Sequence, residues 1–403
     1  MAFLSLLVLS AILAASGNGI DRPSIPVVFR SILQLRVSVE GSVDTSDLMI
    51  LDTGSRLSWI LHYRLIEDMP RHNGGGYGIT HLGTVIDIPE GGRNIRYVDN
   101  DSFESRVWTR KKFSLGSHSW IQSFGIVHRA RVHAMLPMVT GLIGASRNSE
   151  FALSHRVFGF KPYSKKEMGL QIAHTDAREE CFGGSFTFFP LVGKGRSRRH
   201  WTIMEGMDFG KMHVVKGHII LDTGASVIAM PQTVFKTFVD QLTSLGIKFD
   251  YSPGRMLGSI DCSDVAKLPD WVLRKEGGNG IRITKQMFVQ HSSDGRCLLL
   301  VSDLEDNMPL IIGTPLLGHV VSEFDSERQH VGLCHPRNSW IQHHPDILTT
   351  TLSPGRFDDI HDPSDPKSSD PPVPKSSDPL VSTSAAQGFY LATLLFIGFL
   401  FIH

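Results

Sequence analysis

The sequence predicts an all-β protein built as two related lobes with a few short helices, and three observations carry that prediction. First, the body alternates short β-branched and aromatic runs with Gly, Asn, Asp and Ser, as at residues 32–39, 186–191 and 212–221. Such runs read as strands bounded by turns. Second, helical periodicity is scarce, its best stretch being residues 234–245. Third, Met49-Ile50-Leu51-Asp52-Thr53-Gly54-Ser55 recurs as Ile219-Ile220-Leu221-Asp222-Thr223-Gly224-Ala225, 170 residues later. Each copy has a matched second element. Gly144 of Leu142-Ile143-Gly144 lies 92 residues beyond Asp52, and Gly313 of Ile311-Ile312-Gly313 lies 91 beyond Asp222. A given Asp-Thr-Gly triplet arises from ordinary composition at roughly one position in five thousand, so one copy carries little weight. Two copies, each behind three apolar residues and each with a partner at nearly equal spacing, mark a duplicated lobe.

In chain order, residues 1–17 begin with an apolar run and end in Ala14, Ala15, Ser16 and Gly17, small residues that suit signal-peptidase cleavage. The run is shorter than the roughly 20 residues of a spanning helix, which disfavours an N-terminal anchor. Residues 22–190 form the first predicted lobe and residues 191–345 the second. Residues 346–387 shift to Pro, Ser, Asp and Lys, with Pro-Lys-Ser-Ser-Asp-Pro at 374–379 echoing 366–371. Too few apolar groups lie there to offset the entropy of ordering, so an extended stalk is expected. Residues 388–403 carry an uncharged apolar run without a basic flank, the pattern of a glycosylphosphatidylinositol (GPI) anchor signal, with attachment near Ser376, Ser377 or Asp378. A short tail anchor is the alternative. The expected location is the secretory pathway and then the outer face of the plasma membrane.

Composition narrows the function. With 403 residues, 40 basic and 40 acidic side chains and 41% hydrophobic residues, the chain is ordinary for a folded protein, which excludes whole-chain disorder. Zero formal net charge gives no support to nucleic acid as the main partner. The 19 His would make the molecule strongly cationic between about pH 7 and pH 5. They are scattered without the spacing of a metal site, so no metal or other cofactor is expected.

Three apolar residues running into Asp-Thr-Gly describe a buried strand ending in a tight turn, where Gly supplies backbone freedom. If the lobes pack with pseudo-twofold symmetry, Asp52 faces Asp222. Two carboxyls about 3 Å apart cannot both ionise, so they share one proton. One can act as general base on a water while the other, protonated, polarises a carbonyl.

These motifs resemble those of the pepsin-like aspartic proteases over about residues 29–334. The resemblance implies a bilobal acid-protease fold, endopeptidase activity on protein or peptide substrates, no cofactor, a monomer, and Asp52 and Asp222 as catalytic residues. It implies that Thr53 and Thr223 cross-link the two active-site loops with Gly54 and Gly224 at the turns, and that Ser55 bonds the first aspartate. It places Trp59 beside a flap tyrosine, best assigned to Tyr97 with Val98 and Asp99 completing the flap; Tyr77 is the competing candidate. Cys262 and Cys297 match a family disulfide. Cys181 and Cys334 have no common counterpart there, and their pairing is expected as the remaining bond, two free buried thiols being the alternative.

Four features depart from the family pattern. Ala225 stands where many members carry Ser or Thr, so the second aspartate loses a hydrogen bond to its charged form and a less acidic working range than pepsin's is expected. Val98 and Asp99 replace flap glycines, and Asn100-Asp101-Ser102 is a glycosylation sequon at the cleft mouth, or else Asn100 simply serves the turn. Cleavage near Gly17 leaves no room for a separate inhibitory propeptide, which implies an unconventional precursor or a missing exon. The basic run from Lys194 to His200 reads as a solvated loop, with dibasic processing as the alternative.

Overall fold

The structure is a computed structural model. It describes residues 25–29, 33–40, 47–61, 93–96, 102–131, 140–163, 167–192, 199–251, 257–292 and 295–337. Among them lie a thirteen-stranded sheet, a seven-stranded sheet and a three-stranded sheet. Helices are few and short, apart from Gln232–Ser244. The predicted runs are strands Leu33–Val39, Thr187–Pro190 and Met212–Leu221.

The two halves repeat one arrangement, and it explains the paired spacings in the sequence. Strand Asp47–Asp52 runs parallel to Gly141–Gly144, with Leu51 opposite Ile143 and Asp52 opposite Gly144. Gly141–Gly144 is in turn antiparallel to Ser58–Leu61. In the second half Met212–Leu221 runs parallel to Leu310–Ile312, with Leu221 opposite Ile312, and Leu310–Ile312 is antiparallel to Ile228–Pro231. Each Asp-Thr-Gly turn therefore leaves its strand, and a distant strand inserts between that strand and the next. The fit demands glycine. A Cβ on Gly144 would lie 2.6 Å from the Arg56 carbonyl carbon, and one on Gly313 would run into the Ala225 carbonyl. Central strands buried on both faces need continuous apolar runs, and Leu51, Ile143, Leu221 and Ile312 are all fully buried.

The last two described strands return to the first sheet. Val321–Asp325 pairs with Val157–Pro162, and His330–Cys334 pairs with Thr187–Pro190. Behind this return Phe158 stacks on Phe324 at 5.3 Å, and Trp201 meets both edge-on at 5.7 and 5.2 Å. In the second half, helix Gln232–Ser244 buries Phe235, Phe238 and Leu242. That i, i+3, i+7 stripe faces Phe209 and Trp271, whose ring centroids lie 5.1 and 5.3 Å from Phe238. The helix stops at Gly246, whose positive φ of 70° lets the Ile247 amide turn back to the Leu242 carbonyl.

Two disulfides close the fold. Cys181–Cys334 ties strand His330–Cys334 to the end of a short helix, and Cys262–Cys297 ties a 3-10 helix to strand Arg296–Leu299. All four cysteines are paired as expected, and no free thiol is present. Among the described residues no helix is long and apolar enough to cross a membrane. The leader, stalk and tail at residues 1–17, 346–387 and 388–403 lie outside the described residues, as do Tyr77, Tyr97, Val98, Asp99, Asn100 and residues 193–198.

Candidate active site

The two Asp-Thr-Gly turns interlock before their carboxylates meet. The Thr53 amide donates to Thr223 Oγ1 at 3.0 Å, and the Thr223 amide donates to Thr53 Oγ1 at 2.9 Å. Each hydroxyl passes its own hydrogen across the seam, Thr53 Oγ1 to the Leu221 carbonyl at 2.9 Å and Thr223 Oγ1 to the Leu51 carbonyl at 2.6 Å. Both threonines are fully buried. Four bonds thus satisfy polar groups that would otherwise be stranded in the core, and they fix the separation of the strand ends.

Asp52 and Asp222 then face one another. The Gly54 amide donates to Asp52 Oδ1 at 2.8 Å and also to Asp222 Oδ1 at 3.1 Å, so one N–H bridges the pair. The Gly224 amide donates to Asp222 Oδ1 at 2.8 Å. A Cβ on Gly224 would lie 2.6 Å from Asp52 Cγ, and a Cβ on Gly54 would strike the Asp222 carboxylate. The opposite acid occupies the space a side chain would need, which is the local reason for glycine at both positions.

The surroundings of the two acids differ. Asp52 also accepts from the Ser55 amide at 3.0 Å and from Ser55 Oγ at 2.5 Å. Ala225 offers Asp222 only its backbone N–H, and its methyl packs on the cluster of Ile220, Val227 and Ala229. Burial pushes both carboxyls above their ordinary value of 3.8; Asp52 goes well above it and is raised further by the charge of Asp222, while a hydrogen bond joins the two side chains. The pair holds a proton that either acid alone in water would release, and it titrates as a unit.

Trp59 is buried on strand Ser58–Leu61, one residue beyond Ser58, whose Oγ accepts from the Gly144 amide at 3.0 Å. Strands Arg93–Arg96 and Ser102–Leu115, which flank the residues expected to form the flap, pair with Arg96 opposite Ser102. Tyr97, Val98 and Asp99 fall between them.

One site residue was not picked out from the sequence. His200 ends the basic run read there as a solvated loop, yet it is half-buried beside the dyad. Its ring lies beside the Gly54 backbone and Asp52, while its Nδ1 is buried with no partner among the described residues. Burial holds its pKa below the usual histidine range. Trp201 fixes it there, since Trp201 Nε1 donates to the Ala145 carbonyl at 2.8 Å and the Trp201 carbonyl accepts the Leu221 amide at 3.1 Å. The only signal in the sequence was its place next to a tryptophan, which is not specific.

Two repeated strand arrangements that meet at a pair of proton-sharing acids define the bilobal pepsin-like class. The chain belongs to the eukaryotic aspartyl protease family, whose model matches residues 37–335. Among solved structures it is similar to the aspartic proteinase from Irpex lacteus, at 17% identity and a TM-score of 0.60, over 78% of this chain and 97% of that one.

Proposed function

We propose that the protein is an aspartic endopeptidase that hydrolyses peptide bonds with a water activated between Asp52 and Asp222. The observation that carries this reading is the bridged acid pair, in which Gly54 N–H donates to both carboxylates. The ionised member takes a proton from the water as it attacks the scissile carbonyl, and the protonated member donates to the carbonyl oxygen. The tetrahedral intermediate collapses when the leaving nitrogen collects a proton. An extended substrate with hydrophobic side chains at the scissile bond suits the fold. Thr53, Thr223, Gly54 and Gly224 position the acids, Ser55 orients Asp52, and Trp59, Tyr97, Val98 and Asp99 shape the flap side of the cleft.

The chain is secreted, works as a monomer and is held at the cell surface by its lipidated C-terminus, a reading supported by the composition of its two ends. Phospholipase C specific for phosphatidylinositol should release it from expressing cells. Retention after treatment, with release only by detergent, would favour a tail anchor. A peptide-binding protein without activity is the second reading, favoured by Val98 and Asp99 in place of flap glycines. Cleavage of a mixed peptide library from about pH 3 to 7, spanning the dyad's titration, separates the two. Wild type should cut and bind a statine inhibitor tightly, and Asp52→Asn should do neither. Equal cleavage by the variant rejects the mechanism, and weak inhibitor binding with no cleavage supports the binding protein.

A further inference from the structure

We propose that His174, Glu323, Asp325 and His330 form a binding site for one divalent transition-metal ion of the zinc type, on the returning strand pair rather than on the Asp-Thr-Gly turns. Glu323 and Asp325 lie two apart on strand Val321–Asp325, so their side chains share a face. His330 is opposite Asp325 across the hairpin. His174 comes from the segment after strand Glu167–Gln171.

The donor atoms converge. His174 Nδ1 lies 3.4 Å from Glu323 Oε1 and 3.8 Å from Asp325 Oδ2, and His330 Nε2 lies 3.8 Å from the same Asp325 oxygen. An ion about 2.0 to 2.2 Å from tetrahedral nitrogen and oxygen ligands sets those ligands about 3.3 to 3.6 Å apart. The His174, Glu323 and Asp325 donor atoms all lie within 4.8 Å of one another and reach that spacing by closing about an ångström, while His330 Nε2 is brought in by its approach to Asp325. The outward oxygens are already engaged, since Glu323 Oε2 accepts the Thr175 amide at 2.7 Å, and Asp325 Oδ1 accepts the Glu327 and Arg328 amides at 2.8 and 2.7 Å. The inward Asp325 Oδ2 belongs to a fully buried residue and has no hydrogen-bond partner among the described residues, and neither has His330 Nε2. Stranded polar atoms of this kind are rare and costly in native proteins.

Charge points the same way. Two carboxylates lie in the interior, and among the described residues a nearby cationic side chain is Arg328, whose Nε is 3.8 Å from Asp325 Oδ2 but whose side chain is 61% exposed. A divalent ion balances the two acids, and two imidazoles with two carboxylates suit zinc better than calcium or magnesium. The His174 side chain is 42% exposed and gives the ion an entrance. The other convergence of ligating atoms, Cys262, His291 and Cys297, has both sulfurs in a disulfide.

The test is zinc titration of the full secreted chain after chelator dialysis, read by elemental analysis and by melting temperature. Wild type should retain one zinc per chain and melt higher with zinc. His174→Ala, at a partly exposed position, and the double variant His174→Ala/His330→Ala should bind at least about tenfold more weakly and lose the thermal gain, while His291→Ala behaves as wild type. No zinc uptake by wild type, or undiminished uptake in the double variant, overturns the proposal.

Discussion

Asp52 and Asp222 are buried together, and their raised pKa values link proton binding to folding. In the unfolded chain each releases its proton near 3.8, whereas the folded pair holds on. The stabilisation this provides is complete below the unfolded value and is lost as pH rises through the folded pKa. Asn cannot ionise, so Asp52→Asn should melt above wild type at pH 7, with the gap closing towards pH 3, while activity falls on the order of ten-thousand-fold. Thermal melts at pH 3, 5 and 7 check this, and a gap that widens towards acid contradicts it. Thr223→Val should cost about 3 kcal/mol, because it leaves the Thr53 amide and the Leu51 carbonyl buried without partners. Thr223→Ser should recover most of that in urea unfolding, since it keeps the hydroxyl.

At the scale of elements, helix Gln232–Ser244 was legible from its periodicity at residues 234–245, but its importance comes from what it covers. Phe238 is fully buried between Phe209 and Trp271. Phe238→Ala should destabilise by about 3 to 5 kcal/mol, seen as a lower urea midpoint. An unchanged midpoint would mean that the helix contributes little to that core. The strands were equally legible where one chain segment carries its own pattern, as in Met212–Leu221. The parallel insertion of Gly141–Gly144 and Leu310–Ile312 was not, because strand order depends on partners about 90 residues away, and the sequence shows only that the spacing repeats.

For the whole molecule, the returning strands make the halves interdependent. Without Val321–Asp325, strand Val157–Pro162 loses a hydrogen-bonded neighbour and becomes an open edge. Residues 22–190 expressed alone should therefore aggregate, and co-expression with residues 191–345 should restore a soluble, active complex. Gel filtration and peptide cleavage read the outcome, and a soluble monodisperse first half would show that the return is dispensable. Cys181–Cys334 spans the same division, closing a loop with a sequence separation of 153 residues, which in the chain-entropy account contributes about 5 kcal/mol.

The sequence alone determined the duplication, the identity of the two acids and their threonines, and the β character of the body, because each is written in contiguous residues whose spacing and polarity act locally. The cysteine pairing needed the family resemblance as well, since four cysteines permit three pairings. Only the tertiary structure decided that His200 leans on the Gly54 turn and that His174 meets Glu323, 149 residues away, beside Asp325 and His330. Those meetings follow from how distant strands register and which side chains they bury, and no short window of residues encodes that.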